Sequence, residues 1–353
     1  MIVPLMLLCS CDKSRTLPSA TGSIYDCLIV APTTPLNEEE RLAVASAYPN
    51  ENGSAYEEDA TNVQEVIAKS LDEPMPCMPQ AEPYFKTSKV KPEAFDDFLK
   101  PTRNIVYIDI NPDRYTQTKV HYLTDVYSHP QAVVQVQAAS SDSLVSWWLE
   151  HGEECRTWLV EQEMKRAVAY LNTGTSQEIR DALKKMDVEM NVPSDYVLIK
   201  DSIDFVWACN NKGPMRKDIV VYRQPYTDML QLTLGEIIET RDRVLGSHIS
   251  AQESGSHMGT EYNVLPPVMS AIPYGAEVRG LWKMYDGEAM GGPFVSRSVV
   301  DSTRQWVVTA EVFVFAPGQK KRSALRQAEA ILRTLKTHMP KEGTENDSVQ
   351  QTL

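Results

Sequence analysis

Apolar and polar positions fall in short blocks along this chain, and the blocks predict a mixed fold. Apolar runs at 24–30, 104–110, 120–126 and 132–138 read as strands. In the last of these, Gln135 and Gln137 alternate with Val134 and Val136, the period of a strand with one polar face. Helical spacing occurs at 37–47, at 62–71, around 92–99, and over a long tract at 141–171 that Gly152 interrupts. Pro74, Pro76, Pro79 and Pro83 forbid regular structure ahead of a short strand near Tyr84 and Phe85.

The pattern restarts after Asn172-Thr173-Gly174-Thr175. Ser176 opens a short helix to 186, and strands follow at 196–199, 205–209 and 219–223. Thr233 is placed to cap a helix whose periodic positions are Leu234, Ile237, Ile238, Arg241 and Leu245, with Glu236 completing a capping box. A long loop is expected over 247–267. It contains Gly255-Ser256-His257-Met258, which is similar to an expression-tag scar but, being internal, reads as native sequence. Strands at 277–284, 293–300 and 306–315 are joined by short turns. A closing helix carries Ala324, Leu325, Ala328, Ile331 and Leu332 on one stripe.

The second half therefore reads β-β-β-α-β-β-β-α, and the first half is a related mixture. Hairpins outnumber crossovers, which predicts an α+β fold of mainly antiparallel sheets with packed helices. The order of the second half is similar to sandwich modules of the PsbP/Mog1 type, a likeness of fold that carries no activity.

The N-terminus adds a location. Leu8-Cys9-Ser10-Cys11 follows an apolar run and has the form of a lipobox, with Cys11 as the residue to be lipidated. No basic residue precedes the run, and Pro4 lies inside it. The expected organisation is a lipoprotein signal at 1–10, a tether at 11–23, an N-terminal half at 24–172, a C-terminal half at 173–339 and a disordered tail at 340–353. Acyl chains on Cys11 would tether the protein to a membrane of the cell envelope, the outer membrane by preference.

Composition narrows the partners. The chain has 353 residues and a net charge of −13, which argues against nucleic acid or anionic lipid as a partner for the bulk surface. Cys27, Cys77, Cys155 and Cys209 remain after the N-terminal pair, and three of them sit in apolar patterns suited to buried thiols.

No nucleophile elbow, zinc-protease helix, phosphate loop or dinucleotide fingerprint is present, so no catalytic residue and no cofactor is assigned. His151 and Cys155 have the i, i+4 spacing of two metal ligands. A site needs three or four, and Cys155 shares an apolar stripe with Trp148, so core packing is the better reading. Trp147, Trp148, Trp158 and Trp207 could stack sugars if exposed. One polar constellation stands out. Glu311 shares a strand face with Val307, Phe313 and Phe315, and Arg279 is its expected partner. The structural reading is a core ion pair. The functional reading is a pocket lined by Glu277, Arg279, Trp282 and Glu311, with Gly291-Gly292, read as a turn, allowing close backbone approach.

Glu277-Val278-Arg279-Gly280-Leu281-Trp282, Met290-Gly291-Gly292-Pro293-Phe294 and Phe313-Val314-Phe315-Ala316-Pro317 resemble a family of Bacteroidota envelope lipoproteins, family 4837 of the domains of unknown function. Arg103-Asn104-Ile105-Val106 and Pro225-Tyr226-Thr227-Asp228 resemble it too, so the likeness spans nearly the whole mature chain. It implies the lipidated cysteine and supplies no activity, cofactor or catalytic residue. The expectation is a membrane-anchored, non-catalytic binding or scaffolding protein with an envelope protein or glycan as partner. The alternatives are a hydrolase acting on envelope polymers and a small-ligand-binding lipoprotein.

Overall fold

The computed structural model describes residues 16–48, 60–172, 174–249, 255–287 and 289–337. The signal, Cys11 and the tail from 340 lie outside them. Two compact units divide the chain. Unit 1 runs up to Asp72 and resumes over Phe85–Leu159; unit 2 takes Glu73–Tyr84 and everything from Val160. The division by contacts falls inside the long helical tract at 141–171, and the proline-rich segment goes with unit 2.

Unit 1 begins with β1 (Asp26–Val30), followed by helices α1 (Glu38–Ala47) and α2 (Val63–Leu71). Asn37 accepts from the Glu40 amide and Glu40 reaches back to the Asn37 amide, a full capping box. Strands β2 (Lys86–Val90), β3 (Asn104–Ile110), β4 (Lys119–Thr124) and β5 (Ala132–Ala138) lead to the helix α3 (Ser141–Leu171). The expected helix at 92–99 is a single tight turn, Pro92–Ala94.

The sheet order is β2-β1-β3-β5-β4. Four of these strands run parallel, and only β4 is antiparallel to its neighbour. The hairpin β4–β5 is local and visible in sequence. The parallel pairings join distant segments, and their mark is the near-continuous apolar run of strands covered on both faces. Gln64 of α2, buried, donates to the Ala31 carbonyl just past β1 and to the Val90 carbonyl at the end of β2, at 2.6 and 2.9 Å. Tyr122 of β4 packs on Trp158 of α3 at 5.1 Å, so α3 covers the face bearing Tyr122. The opposite face carries a small cluster of Leu28, Val30, Ile105 and Val133.

Unit 2 contains α4 (Gln177–Lys184), β6 (Val197–Ser202), β7 (Phe205–Asn210), β8 (Arg216–Pro225) and α5 (Leu234–His248). Strands β9 (His257–Glu261), β10 (Val268–Ile272), β11 (Gly275–Tyr285), β12 (Gly291–Asp301) and β13 (Trp306–Phe315) and helix α6 (Arg322–Leu332) complete it. All its strand pairings are antiparallel, in the order β10-β11-β12-β13-β8-β7-β6, with β9 also on β11. The segment expected as a loop thus supplies a strand, β9, and leads directly into β10. The tag-like tetrapeptide lies in β9 and its approach, with Met258 fully buried.

Both faces of the central strands are apolar. Val308, Ala310, Val312 and Val314 pack with α4 and α6. Val220, Tyr222, Phe294 and Phe313 pack with Ile237, Ile238 and Leu245 of α5. Thr233 does not cap α5 by its side chain, because its hydroxyl donates to Leu230 of the preceding tight turn at 2.8 Å. Helix α6 has no local cap either. Glu82 from the proline-rich segment accepts from the Lys321 and Arg322 amides at 2.6 and 3.0 Å and serves as a remote cap.

Gly152 does not interrupt α3. A Cβ there would lie 2.7 Å from Trp148 Nε1 and 3.0 Å from Ser70 Oγ, both buried. Ala is worth about 1 kcal/mol over Gly in a helix, but overpacking against a fully buried indole costs about 1–3 kcal/mol. Gly152→Ala is therefore expected to destabilise unit 1 by up to about 2 kcal/mol net. A urea midpoint that rises on this substitution would refute the packing role.

Candidate functional site

The polar groups marked in the sequence do not form one site. Antiparallel register places Glu311 opposite Ser296, and Ser296 opposite Val278. Val278 and Glu311 share a face, so Arg279 points to the other side of the sheet. The expected Arg279–Glu311 pair is therefore absent. Glu311, fully buried, is held by Arg241 of α5 through two bonds, Nε to Oε2 at 2.9 Å and Nη2 to Oε1 at 2.7 Å. Arg241 also donates to Asp242 and Thr260 and lies over the Phe294 ring at 3.9 Å. Burial alone lowers an arginine, but Glu311 outweighs it and keeps Arg241 charged. Burial likewise pushes Glu311 up against the pull of Arg241. Two N–H donors require acceptor oxygens at both carboxyl positions, so we assign the pair as ionised.

Arg279 belongs to a second network on the α6 face. It donates to Glu329 of α6 at 2.5 Å and to Glu277 at 3.0 Å, and Arg326 donates to Glu329 at 2.9 Å. Trp282 is buried on the α5 face, edge-on to Phe313 at 5.4 Å. Gly291 and Gly292 are not a turn but the first residues of β12. A Cβ at Gly292 would stand 2.0 Å from the Val314 carbonyl, so the glycine permits close strand approach. Glu277, Arg279, Trp282 and Glu311 are thus spread over two faces of a packed core, and no pocket gathers them.

The other candidates resolve as packing. Cys155 is buried on α3, its thiol pushed up to about 11 chiefly by burial, with the Tyr122 hydroxyl 3.7 Å away. The His151 ring lies against Trp147, 4.9 Å between centroids. Among the described residues no group of three His, Cys, Asp or Glu side chains could hold a metal.

A cavity of about 320 Å³ lies instead in unit 1, on the sheet face away from α3. Its floor is Ile105, Tyr107 and Asp109 of β3 beside Val133, Gln135 and Gln137 of β5, brought together by parallel register. Its walls include Arg114, Tyr115 and Tyr127 from two loops. Asn111 Oδ1 accepts from the Asp113 and Arg114 amides and sets the first loop. Buried Gln131 sets the second, donating to the Lys100 and Thr102 carbonyls while accepting from the Tyr127 amide at 2.8 Å. Phe95 braces Tyr107 and Tyr127 at ring separations of 5.7 and 5.8 Å.

The cavity holds hydrogen-bonding capacity with little internal use. Asp109 accepts from the Tyr115 hydroxyl at 2.5 Å. His121 Nε2 lies 3.2 Å from Gln137 Oε1, leaving the Gln137 amide nitrogen to donate elsewhere. Burial, Asp109 and Tyr127 raise the Tyr107 phenol above its usual range, and the Asp109 bond raises Tyr115, so both stay protonated donors. In the sequence, Gln135 and Gln137 serve only to mark the alternation of a strand. The signal available was two amides on the outward face of an otherwise valine strand.

Two outcomes follow for the ion pairs. Glu311→Ala strands a buried guanidinium and is expected to cost about 3–5 kcal/mol, whereas Arg241→Met with Glu311→Leu recovers most of that loss; chemical denaturation of the three variants checks it. Burial raises Glu329, but Arg279 and Arg326 outweigh it and hold its carboxyl below the usual value of 4.5. A lowered folded pKa gives stability that is present above about 4.5 and lost as pH falls through the folded value. Glu329→Gln should flatten that acid limb, and an unchanged slope in denaturation against pH contradicts the assignment.

Residues 175–334 match the family model Domain of unknown function (DUF4837), and residues 56–172 match a second, Domain of unknown function (DUF8532). The first match is confined to the C-terminal half, so the likeness read across the mature chain is shared between two families. No curated protein matches. Among solved structures, the chain is similar to the Ran-binding protein Mog1p of Saccharomyces cerevisiae, at 9% identity and TM-score 0.30 over 43% of this chain and 90% of that one. It is similar to the cyanobacterial PsbP (CyanoP) of Synechocystis, at 8% identity and TM-score 0.30 over 44% and 88%. A protein of Bacteroides thetaiotaomicron is similar at 15% identity and TM-score 0.26, over 45% of this chain and 47% of that one. The chain is thus an α+β protein whose two halves each match a domain family of unknown function.

Proposed function

We propose that the protein is a lipid-anchored binding protein of the cell envelope, held at the membrane through acyl chains on Cys11, and that the unit 1 cavity takes its ligand. The observation that carries the binding reading is the cavity itself. It is at the small end of the range for ligand sites and combines aromatic walls with a few convergent polar groups. The lining supports binding over turnover. It contains no serine, cysteine or histidine to act as nucleophile or base. It has one carboxylate, Asp109, where hydrolysis of a glycan by acid and base would use two.

The anchor reading rests on the Leu8-Cys9-Ser10-Cys11 motif. Among the described residues no helix is long and apolar enough to cross a membrane. Fractionation tests the reading. The native chain should sediment with membranes through an alkaline wash and be released by detergent, while Cys11→Ala should move to the soluble fraction. A Cys11→Ala variant that remains with the membranes contradicts it.

A further inference from the structure

We infer that the unit 1 cavity is a site for a neutral, polyhydroxylated ligand: one or two sugar rings, seated with a C–H face on a tyrosine ring and hydroxyls on Asp109, Gln135 and Gln137. The inference deepens the binding reading above and rests on it.

Three properties of the lining select this chemistry. The first is charge. Asp109 and Arg114 are the only formal charges among the lining residues, and they cancel. An anionic ligand would meet a carboxylate beside its one cation, and a cationic ligand the reverse, so neither finds a net complement. The second is polarity. A wholly apolar ligand would displace water from Asp109 and both glutamine amides without replacing its hydrogen bonds, a loss for each group left unpaired. Vicinal hydroxyls both donate and accept. They therefore suit a carboxylate that accepts, amides that do both and the Tyr107 phenol, held protonated as a donor. The third is shape. Tyr107 and Tyr127, braced by Phe95, present rigid rings that offer apolar area with a polar tip. The tryptophans singled out for sugar stacking in the sequence are not used; Trp148 is fully buried, and none lines the cavity.

The full chain is titrated with maltose and cellobiose, and in separate arms with inorganic phosphate and with indole, while NMR follows the side-chain amides of Gln135 and Gln137. Saturable shifts with at least one disaccharide are expected. They should weaken about tenfold in Gln135→Ala, the equivalent of one or two hydrogen bonds. Tyr107→Phe, which keeps the ring, should weaken them less, and unchanged backbone spectra establish that both variants are folded. Sugar shifts that survive Gln135→Ala undiminished overturn the placement. Shifts with phosphate or indole and none with either sugar overturn the ligand class and leave the cavity a binding site. Silence in every arm overturns the binding reading as well.

Discussion

The bidentate contact between Arg241 and Glu311 is the constraint on which unit 2 depends. Its sheet is apolar on both faces, and such a surface specifies burial better than it specifies position. A charged pair at 0% exposure specifies position. Slipping β13 by one residue would carry Glu311 to the α6 face and leave the buried Arg241 guanidinium without its carboxylate. The opposite face repeats the device, with Arg279 of β11 bound to Glu329 of α6. Helices α5 and α6 are thus each joined to the sheet by a buried ion pair. The net stabilisation from such pairs is small against apolar packing of the same volume. Their effect is on which register and which helix placement the packing adopts.

Much of this was present in the sequence, one level short of contact. The strand faces of Glu311 and Arg279 are each legible from period two, but their pairing depends on register through an intervening strand, which the local pattern does not carry. Arg241 appears in the sequence as a charged residue on the periodic stripe of its helix. Glu329 lies four residues after Leu325 and three before Leu332, on the stripe of the closing helix. A charge on an apolar stripe calls for a buried partner, and in both cases the structure supplies one from the sheet. The glycines at 291 and 292 mislead for a related reason. Gly-Gly is a turn signal unless another strand approaches too closely to admit a Cβ, and that approach is tertiary.

Unit 1 shows the opposite balance. Its strands were legible, but their parallel pairing joins segments dozens of residues apart, and the cavity exists only once β3 lies beside β5. One face of those strands is closed by α3. On the other, Tyr107, Asp109, Gln135 and Gln137 line a cavity, and Asp109 and Gln137 use only part of their hydrogen-bonding capacity internally. In unit 2 the buried charges are consumed in holding helices to the sheet. In unit 1 the partly buried polar groups remain turned to solvent around braced aromatic rings. The first arrangement builds a fold, and the second is the one on which the proposed ligand site rests.

That division of labour is tested most directly by hydrogen exchange of the full chain, read by mass spectrometry with and without a saturating neutral disaccharide. Protection is predicted in peptides covering 104–138 of unit 1, with no change over α5 and β11 to β13. Protection centred on 234–248 or 275–315 instead would place the ligand among the buried ion pairs of unit 2 and contradict the account.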